Sequence, residues 1–207
     1  MSKLTGFVIP VAVWSCLPAA ASSQAANHER RAQITVNVYD YTALPSETLN
    51  KSQLEASRIF RDAGIDLRWV QCARAGQDSW KFRACDFAGD FPAPVVKIVT
   101  ERMAARLHPR ITELGFAAGE QAWIFAERVK TASAFHDFFV VLGDVLAHEL
   151  GHLLLGPAHS PDGIMCRKFR NDTLLRGEFG SLKFTSEQAG YMRAVLESRR
   201  LVAKNSR

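Results

Sequence analysis

Residues 148–165 read HELGHLLLGPAHSPDGIM, and no other part of the chain constrains its local folding so tightly. Asp137 can cap a helix that starts near Phe138, and Gly156 with Pro157 must end it. Glycine accepts a left-handed turn and proline cannot continue a helix. On such a helix His148 and His152, four residues apart, share one face, and Glu149 flanks them. Two imidazoles aimed at one point beside a carboxylate suit a divalent metal ion and a proton to be moved.

The elements before this run are read from periodicity and turn residues. Ile34 to Tyr41 alternates apolar and polar side chains as a strand does. Pro45 and Ser46 then open a helix with Leu49, Ala56, Ile59, Phe60 and Ala63 at helical spacing, closed by Gly64. Ile65 to Gln71 and Val95 to Thr100 read as two more strands, and Glu101 to Leu107 as a short helical turn. The stretch holding Gly115 and Gly119 reads as a loop, and Gln121 to Arg128 as a fourth strand. After the metal helix comes a mostly irregular stretch. Thr185 and Gln188 then form a capping-box pattern ahead of Ala189, Met192, Val195 and Leu196. The expected class is α+β, a mixed sheet of about four to five strands with helices packed on it and a small lower lobe.

The first 26 residues have the order of an export signal: Lys3, an apolar stretch to about Leu17, then small residues through Ala26. Cleavage fits after Ala21 or after Ala25. Pro10 and Pro18 interrupt a stretch too short to span a bilayer, so no stable membrane insertion is expected. Residues 27–207 are expected to be one domain, acting as a monomer outside the cytoplasm, either secreted or periplasmic. There Cys72 and Cys85 are placed to close a polar loop by a disulfide, leaving Cys166 as a buried thiol. Lys and Arg number 26 against 21 Asp and Glu. That balance is mild, and no basic stretch is interleaved with aromatics, which argues against a nucleic-acid partner.

A hydrolytic zinc site needs three protein ligands and one open position. His148 and His152 supply two, and His159 arrives just beyond the Gly156 turn as the third. Asp162, Glu178 and Glu187 are the alternatives. Glu149 cannot easily ligate beside its neighbour but can serve as general base to a water. No GxSxG elbow, phosphate-binding loop or CxxC pair competes. His28, His108 and His136 stand alone and read as surface or satisfied histidines. Trp69, Trp80 and Trp123 read as core or rim. Tyr191 is expected to pack within its amphipathic helix.

With these residues in place, the run His148 to His159, followed by Ser160 and Gly163-Ile164-Met165, resembles the metzincin clan of zinc metallopeptidases, and matrixins in particular. The clan pattern is HExxHxxGxxH with a methionine-bearing turn. Here glycine falls four and the last histidine seven residues after His152, one more than the pattern in each case, and one added residue rotates a helix end by about 100°. Beyond the motif the chain is similar to short exported bacterial proteins carrying HELGHLLLG and GIM segments. The resemblance implies a metzincin-like fold with an active-site helix, a methionine turn and a C-terminal helix. It implies one catalytic Zn2+ held by His148, His152 and His159, with Glu149 as base and Met165 as a hydrophobic floor, and it offers Tyr191 stabilisation of an oxyanion as an alternative to packing. It further implies a cleft rim formed by the strand ahead of the metal helix, Trp123 to Glu127, and a specificity pocket shaped by Cys166 to Phe184. The implied activity is zinc-dependent endopeptidase cleavage of peptide or protein substrates. The rival is a catalytically inactive zinc-containing binding or envelope protein on the same fold.

Overall fold

A computed structural model describes residues 31–74, 85, 93–107, 110 and 113–205. The expected export signal, His28, Trp80 and His108 lie outside the described residues. Arg31–Arg207 form one compact unit.

The chain order is β1 (Ala32–Asp40), α1 (Ser46–Asp62), β2 (Ile65–Arg74), β3 (Val95–Val99), α2 (Glu101–Ala104) with a following 3-10 turn, β4 (Gly115–Ala118), β5 (Gln121–Phe125), α3 (Ala126–Ala132), α4 (Phe138–Leu155), α5 (Asn171–Glu178) and α6 (Ser186–Asn205). The strands form a five-stranded sheet in the order β2-β1-β3-β5-β4. The first four strands across it run parallel, and β4 pairs antiparallel with β5 at the edge. This is a mixed α/β architecture with a mostly parallel sheet.

The apolar pattern accounts for the core. Val36, Val38, Val96, Ile98, Ala122 and Ile124 are buried on the three inner strands, as parallel strands covered by helices require. The α1 positions named from spacing alone, Leu49, Ala56, Ile59, Phe60 and Ala63, are all buried. Helix α1 packs against α4 and β2, while α4 also packs against β4 and β5. By length and composition α4 could cross a membrane, yet 78% of it is buried inside the protein, as suits a central core helix. At the start of α6 the capping box forms: the Thr185 amide donates to Gln188 Oε1 at 2.9 Å, and the Gln188 amide to Thr185 Oγ1 at 3.2 Å.

Three expectations are corrected. The glycine-flanked stretch after 114 is strand β4 rather than loop, because GFAA finds a partner in β5. The strand expected to run to Arg128 ends at Phe125, where the chain turns directly into α3. Trp123 to Glu127 is therefore not the open edge expected of it: β5 lies between β3 and β4, and β4 is the sheet edge on that side. Residues 171–178, within the stretch read as irregular, form α5. The Cys72–Cys85 disulfide is formed, with Cα atoms 5.6 Å apart. Cys166 is a buried free thiol whose Sγ donates to the Lys168 carbonyl at 3.4 Å.

Candidate metal centre

The last two turns of α4 and the segment after it build the centre. His148 is 5% exposed, and its Nδ1–H donates to the Ile164 carbonyl at 2.7 Å. His152 Nδ1–H donates to the Gly156 carbonyl at 2.8 Å. A carbonyl can only accept, so both rings carry their proton on Nδ1 and present a bare Nε2. The two Nε2 atoms stand 3.1 Å apart.

His159 joins them by a defined route. Helix α4 keeps its hydrogen bonding through Gly156, whose amide donates to His152 O at 2.9 Å, and Gly156 then turns at φ 80°. Beyond it the Ser160 amide donates to Met165 O at 2.9 Å, tying the His159 segment to the turn that also positions His148. Ligand atoms of His148, His152 and His159 all lie within 4.8 Å of one another. The added residue before Gly156 is absorbed by the turn, so the register offset does not remove His159 from the cluster.

The cluster's electrostatics are compatible with a bound cation. Burial is the main cause that pushes the His148 pKa down to about 4; the neighbouring histidines push the same way, and the hydrogen bond to the Ile164 carbonyl opposes them. Burial also lowers His152 and His159. Neutral imidazoles therefore turn lone pairs toward one another, an arrangement that a bound cation relieves. Two nitrogens on a tetrahedral zinc at about 2.0–2.1 Å stand about 3.3 Å apart, close to the spacing found here. Three imidazoles with no thiolate suit a borderline transition metal, zinc, copper, iron or nickel.

Glu149 is 5% exposed. Burial first, and the Glu113 carboxylate second, raise its pKa to about 8. Strand β4 covers it: a Cβ on Gly115 would come within 2.6 Å of Glu149 Cγ and Oε1. Beneath the helix Met165 is fully buried, and a Cβ on Gly151 would approach its Sδ to 2.6 Å. The Phe169 ring meets His148 edge-on with centroids 5.4 Å apart.

The other candidates go elsewhere. Asp162 accepts from Arg176 at 2.7 Å, and Glu178 accepts the Asp137 amide and sits 3.1 Å from His136 Nδ1. Glu187 lies beside His159 on a cavity wall, outside the three-histidine group. Tyr191 is on the same wall and 58% exposed, so the packing expected of it is corrected. His136 Nε2 meets Asn171 Oδ1 at 3.0 Å, while its Nδ1 makes no hydrogen bond, so His136 stands apart from the cluster but is only half satisfied. Trp69 donates to Ser57 Oγ at 2.8 Å and Trp123 stacks near Phe116, both partly buried.

Two features were not anticipated. Glu113 bears on Glu149, and Asp144, one turn before His148, is fully buried with neither oxygen hydrogen-bonded. The signal for Asp144 was visible: it is the lone charge in VVLGDVLA. No protein-family model matches the chain, and no curated protein matches it.

Proposed function

We propose that this protein is an exported zinc-dependent endopeptidase of metzincin type. The observation that carries this reading is the convergence of bare nitrogens from His148, His152 and His159 beside the buried carboxyl of Glu149. His148, His152 and His159 would hold a zinc ion, which would supply Lewis acidity to a peptide carbonyl and to a water. The Ile164 and Gly156 carbonyls fix the ring tautomers and raise the basicity of Nε2. Met165 and Phe169 exclude water from the back of the site.

Glu149 handles the proton. In the cation-free site it holds one at neutral pH, and a dication beside it favours the carboxylate. The carboxylate then takes a proton from the attacking water and delivers it to the leaving amine nitrogen. Strand β4, at the sheet edge, is suited to pair with an extended substrate across the site. The Cys72–Cys85 disulfide supports an oxidising compartment.

The test is hydrolysis of a mixed peptide substrate by zinc-loaded wild type and Glu149→Ala. A loss of about 100-fold or more in the variant, with zinc retained, is expected of a general base. Equal hydrolysis by the two proteins removes Glu149 catalysis. Absence of hydrolysis by the zinc-loaded wild type favours the non-catalytic binding protein.

A further inference from the structure

Beside His159 the surface folds into a cavity of about 230 Å³ lined by Leu155, Ala158, His159, Glu187, Gln188 and Tyr191. Its walls come from the last residue of α4, the turn that carries His159, and the first turns of α6. One wall is thus a candidate metal ligand, which places any occupant next to the reacting centre. The volume lies below the roughly 300 Å³ at which pockets for drug-sized ligands begin, and it suits a single long side chain.

The walls differ in chemistry. Leu155 and Ala158 are apolar, while Glu187 is the one acidic group in the lining. Among the described residues Glu187 has no ion pair or hydrogen bond. Gln188 spends its amide oxygen on the Thr185 N–H and keeps its NH2 as a donor. Tyr191 offers an exposed aromatic ring. Arg167 is close enough to His159 to lower its proton affinity, but it does not line the cavity.

A long cationic side chain matches the apolar walls, the carboxylate and the ring, while the Gln188 NH2 offers it nothing. Its methylenes can lie along Leu155 and Ala158. Its charged head can meet the unpaired Glu187 carboxylate and the Tyr191 ring. An acidic side chain is repelled by Glu187 and finds no cation in the lining. We infer that this cavity is a specificity pocket for a lysine or arginine side chain of the peptide substrate, with Glu187 as the selecting carboxylate. The inference rests on the hydrolase reading for the peptide it assigns, yet the pocket's affinity is measurable without turnover.

The experiment titrates N-acetyl-arginine amide, with N-acetyl-glutamine amide as control, into the zinc-loaded full chain and follows binding by NMR. Wild type and Glu149→Ala are expected to bind the arginine amide alike, and Glu187→Gln about three- to tenfold more weakly, as an exposed charge pair allows. The glutamine amide should not distinguish them. In matched peptides varied on either side of the scissile bond, the Arg-over-Leu ratio of kcat/KM should fall by a similar factor in Glu187→Gln and invert toward Glu-containing peptides in Glu187→Lys. Equal arginine-amide binding by wild type and Glu187→Gln, or no binding by wild type, overturns the pocket. Loss of zinc from Glu187→Gln overturns it as well, by making Glu187 part of the metal shell. Arginine-amide binding without any peptide hydrolysis sinks the hydrolase reading and leaves the pocket standing.

Discussion

Gly115 in β4 and Glu149 in α4 approach so closely that a single methyl group on Gly115 would fall 2.6 Å from both Cγ and Oε1 of the carboxylate. The edge strand and the proposed base thus fix each other's positions, and the contact admits no side chain larger than hydrogen. Gly115→Ala must move either the carboxyl group or the strand. Displacement by about 1 Å can cost about 100-fold in rate. The expected result is a fall of that order in kcat/KM for peptide hydrolysis with zinc content unchanged, read by a peptide assay and metal analysis on the same sample. Full activity in Gly115→Ala would show that Glu149 does not depend on this contact.

His159 is the most exposed of the three candidate ligands, and it is brought to the others by the Gly156 turn and the Ser160–Met165 hydrogen bond rather than by the helix that carries them. Removing one of three ligands should cost more than removing a supporting residue, which typically costs about 10- to 100-fold. His159→Ala is therefore expected to bind zinc at least about 100-fold more weakly in competition with a chromophoric chelator. The rise in Tm on adding zinc should shrink with it, because binding to the native state alone is what stabilises. Unchanged affinity would remove His159 from the ligand set.

What could be read ahead of the structure follows from where the determining forces act. Helices α1, α4 and α6 announce themselves because their stops and caps are local: Gly64, Gly156 with Pro157, and the Thr185–Gln188 pair each act within one turn. The disulfide was legible because the two cysteines bracket one polar loop. Strand β4 was not, since GFAA has little strand character and becomes a strand only through β5 and the packing of Gly115 on Glu149. The break between β5 and α3 has no Gly or Pro to mark it, and α5 begins at Asn171 after Arg170, which provides no side-chain cap. At the metal centre the helix half was plain from spacing. Whether the turn brings His159 back depended on Gly156 φ and on the Ser160–Met165 hydrogen bond, neither of which a register count contains.

The proton that leaves on zinc uptake should come from Glu149. At pH 7 the histidines are already neutral in the folded protein, with His148 down at about 4, whereas Glu149 at about 8 still holds its proton. A dication beside the carboxyl reverses that preference. Calorimetry in buffers of differing ionisation enthalpy should find about one proton fewer released per zinc in Glu149→Gln than in wild type at pH 7. Equal release would place the proton on another group. Because burial lowers all three ring pKa values, protons should begin to compete with zinc only below the pH 6.5 at which free imidazoles protonate.

Asp144 is fully buried one turn before His148, and neither carboxylate oxygen has a hydrogen-bond partner. Burial is the main cause that raises its pKa well above the usual value; Glu55 adds to the rise and Arg58 opposes it. A Cβ on Gly177 of α5 would clash with its Oδ2, so the carboxyl group sits under that helix with no room for a shell of water. The sign of the pH dependence follows from the raised folded-state pKa. Below pH 3.8 folded and unfolded chains both hold the proton, and this residue carries no penalty. As the pH rises above that value the unfolded chain releases the proton freely while the folded chain resists, so stability falls until the folded-state pKa is passed. Asp144→Asn keeps the shape and removes the charge. It is expected to raise Tm relative to wild type at pH 8, and to raise it less at pH 5. Thermal unfolding of the two proteins at both pH values measures this, and Glu149 cancels because both carry it. A difference in Tm that does not change with pH would mean that Asp144 has the same proton occupancy in the folded and unfolded chains.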